Sequence, residues 1–199
     1  MRQRNNLIGN KLLSIVFLAV IYLFGCLQQK TFSLPDEFQW FSGGARGRLH
    51  GKGHYVFWPI YFCISYNVDK FWQKIKLSWF ERRAVVDVEP FIAIVTRPNS
   101  NIETGCSLFI KLFLLSPDKK IAPYVRLGSG LVYMSQHTRE QATQFNFIDT
   151  LGLGIKIGKI KDSAVSLEYR FRHLSNCSIK KPNEGIDSHL VLLGVSRKF

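Results

Sequence analysis

At 199 residues, 46% hydrophobic and 21% charged, the chain can bury a core and is too apolar to be disordered. Its formal net charge of +13 favours phosphate-bearing partners. The basic residues are interleaved with strand patterns and form no basic helix or known nucleic-acid module, so anionic lipid headgroups are favoured over nucleic acid, and no nucleic-acid partner is expected.

Arg2 and Arg4 precede an apolar run from Leu12 to Phe24, closed by Gly25-Cys26. A basic start, a short apolar core and then small residues read as a secretory signal. The run falls short of the ~20 residues a spanning helix needs. Residues 1–26 are therefore expected to be a signal whose cleavage point is open, with one domain over 27–199. Leu23-Phe24-Gly25-Cys26 also resembles a lipoprotein processing site, although Phe24 is bulky for its position. The spacing of Cys63, Cys106 and Cys177 fits no metal pattern and suits buried or lipid-facing thiols, so no metal and no cofactor is expected.

Eight strand-like segments follow: Glu37–Arg48, His54–Asn67, Ala84–Thr96, Cys106–Ser116, Ile121–Met134, Asn146–Gly158, Ala164–Ser175 and Ile186–Phe199. Alternation is clear in several. Leu151, Leu153, Ile155 and Ile157 oppose Gly152, Gly154, Lys156 and Gly158; Val86, Val88, Ile92 and Ile94 oppose Asp87 and Glu89. Such a pattern serves a soluble sandwich, with its apolar face inward, or a membrane barrel, with that face on lipid. Three features favour the barrel. The signal exports the chain. It ends on Phe199 with Val191, Leu193 and Val195 in phase, which resembles the end of outer-membrane barrels, Arg197 being a departure. Turns at Ser116–Lys120 and Lys159–Asp162 are tight, while Arg97–Gly105, Ser135–Thr143 and Asn176–Gly185 are longer, the expected inner and outer asymmetry. The expected fold is all-β: an eight-stranded antiparallel transmembrane β-barrel of the outer membrane. Asp69–Arg83 is long and aromatic for an inner turn, so either a boundary is misplaced or a short interfacial helix sits there. Pro59, Pro90 and Pro123 are expected at strand ends or bulges, since each removes a ladder donor.

The last hairpin breaks the pattern. Val165, Leu167, Tyr169 and Phe171 share one face, and His173 and Ser175 have the same parity. Asp187 joins the apolar stripe of Val191, Leu193, Val195 and Phe199. With Phe199 at the inner end, these three polar residues face lipid at the outer rim. An ester hydrolase needs a nucleophile, a base and a group that fixes the base; Ser175, His173 and Asp187 supply them at plausible spacing. Asn176, the backbone of Cys177 and Ser178, and Asn183 are candidate oxyanion donors. Taken singly, each is also an ordinary rim, turn or cap residue. Arg172, Lys180 and Lys181 either hold phosphates or form a solvated rim; Arg172 has the parity of the lumen, where Glu168 or Asp87 could pair with it.

His173-Leu-Ser175-Asn176 followed by Pro182-Asn183-Glu-Gly185-Ile-Asp187-Ser188 resembles the His-x-Ser-Asn … Pro-Asn-x-Gly-Ile-Glu-Ser motif of the PagL-type lipid A 3-O-deacylases. Pro123-Tyr-Val-Arg-Leu-Gly-Ser-Gly and Phe145-Asn146-Phe147 with Leu151-Gly-Leu-Gly-Ile resemble the same family upstream, so the likeness covers roughly Ser107 to Phe199. It implies an outer-membrane barrel whose lipid-facing triad hydrolyses the 3-O-linked acyl chain of lipid A and releases a 3-hydroxy fatty acid. The family's nucleophile, base and acid fall on Ser175, His173 and Asp187. Asp187 departs from the usual Glu, and Ser178 from the usual Gly. The implied partner is lipopolysaccharide in the outer leaflet; a homodimer is left open. The main rival is a non-catalytic small barrel with a structural or anchoring role. A soluble lectin-like sandwich and an acyltransferase barrel are further alternatives.

Overall fold

A computed structural model describes residues 35–49, 53–136, 138, 140–160 and 162–199, with nothing said of the side chains of 159 and 160. The signal expected over residues 1–26 lies outside them.

The period-two segments become eight strands: β1 Glu37–Arg48, β2 His54–Asn67, β3 Ala84–Arg97, β4 Asn101–Phe113, β5 Ile121–Met134, β6 Phe145–Ile160, β7 Ser163–Ser175 and β8 Ile186–Lys198. Each pairs antiparallel with the next, and β1 closes on β8 to make a barrel. Closure leaves no strand edge exposed.

Two expectations fail in detail. β4 begins at Asn101 rather than Cys106, because Asn101 to Gly105 pair with Val95 to Phe91. The β3–β4 connection is therefore short, and the predicted asymmetry of loop lengths does not hold. The prolines lie inside strands, Pro59 opposite Ala93, Pro90 opposite Cys106 and Pro123 opposite Ile155, with the register unbroken at each. Each lacks a donor, and pairing lapses for two positions toward β1 at Pro59 and toward β2 at Pro90 before resuming in the same register.

The faces are sorted as a bilayer requires. Trp58, Ile94, Leu131, Leu153 and Leu193 point outward and are each more than half exposed, while Arg126, Arg170, Arg172 and Lys111 are fully buried in the lumen. Water would favour the reverse. The lumen is filled rather than open. In its middle, Arg170 grips Glu89 with two bonds of 2.6 and 3.0 Å, Arg126 reaches Glu89 at 2.9 Å, and Lys111 meets Asp87 at 2.9 Å. Gly152 leaves room for this packing: a Cβ there would lie 2.7 Å from Arg126 Cγ. Arg172 faces the lumen as its parity predicts, but its partner is Glu103, at 2.8 and 3.3 Å, and neither Glu168 nor Asp87. That geometry removes Arg172 from any phosphate site outside the barrel. Beyond it, toward the β7–β8 connection, Tyr55, Phe57, Val95, Met134, Leu174, Ile186 and Leu190 fill the lumen with apolar side chains.

The Asp69–Arg83 segment, at the same end as Phe199, holds a short helix α1 (Asp69–Lys74) and a 3-10 turn (Ser78–Phe80). Trp72 stacks on Phe80 at 4.7 Å, and Arg83 lies 5.1 Å over the Trp79 ring. Ile75, Leu77 and Trp79 stay exposed, as suits an element at a lipid interface.

Candidate active site

The register of β7 and β8 builds the site. His173 stands directly opposite Asp187, and Leu174 opposite Ile186. Alternation sends the first pair outward and buries the second completely in the lumen. The packed pair behind holds the two strands at the spacing that the outward pair needs. His173 Nδ1 lies 2.6 Å from Asp187 Oδ1. The carboxylate accepts from Nδ1–H, which leaves Nε2 as the basic nitrogen. Direct opposition across the ladder explains why the shorter acid still reaches. The two side chains are 42% and 58% exposed, so the pair is open to the membrane side of the wall.

Ser175 points the same way from two residues on, with its Cα about 7 Å from that of His173. No hydrogen bond joins its hydroxyl to His173 among the described residues. The hydroxyl instead lies by the Cys177 thiol: burial pushes that thiol above its ordinary pKa, hydrogen bonding from Ser175 opposes the shift, and nearby Asp149 adds to it.

The chain leaves β7 through a tight turn. Cys177 and Ser178 have φ of 51° and 63°, and the Ile179 amide donates to the Asn176 carbonyl at 3.0 Å. Two successive left-handed residues are the type I′ pattern, which favours glycine. This is a physical reason for the glycine that the resembling motif carries at Ser178. Among the described residues, the Cys177 and Ser178 amides donate to no protein acceptor. Asn176 is fully buried. Its side-chain amide donates to the carbonyls of Lys180 at 2.7 Å and Pro182 at 3.3 Å, and its backbone amide donates to Asn183 Oδ1 at 2.8 Å. Asn183 Nδ2 faces Ser178 Oγ at 3.4 Å. The loop also ties to residues 140–142: the Ala142 amide donates to the Pro182 carbonyl at 3.1 Å, and Glu184 to Glu140 at 3.0 Å. Lys180 and Lys181 stand exposed on it and pair with no carboxylate among the described residues.

Gly185 closes the loop against the imidazole. Its φ is 76°, and a Cβ there would lie 2.8 Å from His173 Cε1.

Sequence reading missed Asp149. It stands opposite His173 on β6, half-buried, on the side away from Asp187, with Ser129 opposite it on β5. The available signal was its parity, shared with Leu151 and Leu153, which puts a carboxylate on an apolar face. His189 was missed likewise; the Tyr169 hydroxyl lies 2.6 Å from its Nδ1 on the outer wall.

An apolar outer wall around a charged, filled lumen defines the class: a membrane β-barrel, here with a carboxylate–imidazole pair on its outer wall. The sequence model of the lipid A 3-O-deacylase (PagL) family matches residues 55–196, and the chain belongs to that family. The crystal structure of the outer membrane enzyme PagL is similar with a TM-score of 0.54 at 19% identity, over 77% of this chain and 97% of that one. Neisserial surface protein A is similar with a TM-score of 0.62 at 11% identity, over 82% of this chain and 96% of that one. The N-terminal barrel domain of Pseudomonas aeruginosa OprF reaches 0.50 at 13% identity, over 83% and 98%. At these identities the structures establish the fold, that of an outer-membrane barrel. No curated protein sequence gives a significant match.

Proposed function

We propose that the protein hydrolyses the 3-O-linked acyl ester of lipid A, with Ser175 as nucleophile, His173 as base and Asp187 as the acid that orients it. The observation that carries this reading is the 2.6 Å His173–Asp187 contact on the outward wall, two residues from Ser175, in a member of the lipid A 3-O-deacylase family.

The chemistry is acyl transfer in two steps. Ser175 Oγ turns from Cys177 to His173 Nε2 and attacks the ester carbonyl while Nε2 takes its proton. The developing imidazolium is stabilised by Asp187 through Nδ1. Negative charge gathers on the carbonyl oxygen, where the unpartnered Cys177 and Ser178 amides are the donors. His173 then returns the proton to the leaving sugar oxygen. A water, deprotonated by the same nitrogen, releases the 3-hydroxy fatty acid and restores Ser175. Asn176 has both amide hydrogens committed to loop carbonyls, so its part is to hold the turn that aims those amides, with Asn183 bracing it from the far side. Lys180 and Lys181 sit on the same loop, where phosphates of the glycolipid could be met. The end of the barrel carrying the site lies in the outer leaflet, where lipopolysaccharide resides, and the end with Phe199 and the Asp69–Arg83 segment lies opposite it.

Expression in a lipopolysaccharide-producing host, followed by mass spectrometry of lipid A, tests the reading. The expected result is loss of one 3-hydroxyacyl chain, abolished by Ser175→Ala, with a rate loss of about ten-thousandfold or more in vitro. Lipid A left unchanged by the folded wild-type barrel would instead favour a non-catalytic anchoring role.

A further inference from the structure

We infer that Arg46 and Arg48 of β1 form a seat for a phosphate of the glycolipid substrate, on the far side of Asp187 from His173. The inference rests on the esterase reading above and adds a substrate-recognition element to it.

Closure of the barrel creates the juxtaposition. Across the β8–β1 seam Arg48 stands opposite Asp187, and Arg46 opposite His189. On the other side of β1, Arg48 stands opposite His54. Directly opposed residues share a face, so one row runs along the outer wall: Asp149, His173, Asp187, Arg48, His54. Arg46 lies one step below it. Both arginines are exposed, on a wall otherwise lined by large apolar side chains.

A guanidinium on the lipid-facing wall costs free energy that falls toward the interface, and an anion lowers it further. The lumen shows how this chain treats an arginine that has a protein partner: Arg170 and Arg172 each take a carboxylate in a two-pronged grip. Neither Arg46 nor Arg48 has a carboxylate at ion-pair distance among the described residues. Arg46 Nη2 donates to His54 Nε2 at 2.9 Å, which steadies the guanidinium and leaves its other donors open. A shallow depression lined by Arg48, Leu49, Glu184, Gly185 and Asp187 lies between the arginines and the imidazole. Asp187 repels an anion there, so the phosphate belongs on the Arg46 side. Planar guanidinium forks suit phosphate oxygens better than ammonium groups do. The span is right as well. Two strand spacings, about 10 Å, separate Arg48 from His173 at the backbone, and arginine's long arm shortens that to the scale of a phosphorylated sugar. A phosphate held at Arg46 and Arg48 thus places the ester of the same glycolipid over Ser175.

Affinity is measured on full-length Ser175→Ala protein in neutral detergent micelles, so that no turnover is required. The probes are fluorescent lipid A and the same lipid A stripped of its phosphates. The phosphorylated probe is expected to bind about tenfold or more tightly than the stripped one. Arg46→Gln with Arg48→Gln removes most of that preference, Lys180 and Lys181 supplying what is left, and leaves binding of the stripped probe unchanged. Arg46→Lys with Arg48→Lys keeps part of it, and Arg82→Gln, a basic residue at the opposite end, keeps all of it. Resistance of each barrel to detergent unfolding at room temperature confirms that it is folded. Equal binding of the two probes, or a preference undiminished by the double glutamine variant, overturns the seat. Displacement by inorganic phosphate or phosphatidic acid as effective as by phosphorylated lipid A assigns the seat to any phosphate, or to a neighbouring lipid, and overturns it too. On the protein with Ser175 intact, the double glutamine variant raises KM with kcat nearly unchanged. A preference that holds while wild-type protein deacylates nothing separates failure of the esterase reading from failure of the seat.

Discussion

Arg172 and His173 are consecutive on β7, and each meets a carboxylate from another strand. Arg172 turns into the lumen and grips Glu103 with two bonds, its guanidinium stacked 4.1 Å from the Phe57 ring and the pair fully buried. His173 turns outward and makes one contact, to Asp187, with both side chains partly exposed. The lumen pair spends its fork on its partner and on the cohesion of the wall. The outer pair keeps a nitrogen free and leaves space in front of it. One step along a strand separates a contact that holds the barrel together from one placed to do chemistry. Breaking the first is expected to cost stability, and breaking the second rate.

Asp187→Asn tests the outer half. Deacylation of lipid A, followed by release of fatty acid, is expected to fall about a hundred- to ten-thousandfold with unfolding unchanged. Asp187→Glu, the acid of the resembling motif, should retain most of the rate; a larger loss than with Asn would show that register rather than acid length sets the contact. Glu103→Ala tests the inner half. It strands Arg172 in the lumen and is expected to cost about 3–5 kcal/mol in urea unfolding from lipid vesicles. The remaining folded protein should keep its specific activity, and a loss there would join the two regions that the comparison separates.

Smaller changes probe how finely the outer pair is held. Gly185→Ala places a methyl against His173 Cε1 at a positive φ. Backbone strain of about 1–2 kcal/mol and a displaced imidazole should lower kcat about tenfold with KM little altered, as single-turnover kinetics would show. Asp149→Asn removes the second carboxylate beside His173. A loss of only about two- to fivefold in kcat/KM is expected, in keeping with a half-exposed electrostatic contact. A loss matching that of Asp187→Asn would make Asp149 an equal partner of the base.

Much of this was legible in the chain itself. The bounds of β1, β2 and β5 were legible as strand-like segments, and the placement of His173, Ser175 and Asp187 on one face follows from alternation, since parity is a local property. The β3–β4 connection was misjudged because Asn101 to Gly105 are polar or small, and their strand state comes from pairing with β3. Asp149 escaped notice because one carboxylate on an apolar strand says nothing until its neighbour's register is known. The Ser178 departure could be seen but not explained until its φ was.

By itself the sequence determined the period-two pattern, the eight segments and the outward parity of the three candidate catalytic residues, because each depends on neighbours a few positions away. Tertiary structure alone decided that Arg172 pairs with Glu103, that Asp149 flanks the imidazole, and that Arg46 and Arg48 arrive beside Asp187. Those meetings depend on the register of each ladder and on the shear with which β1 closes on β8, and shear belongs to the whole barrel rather than to any stretch of it.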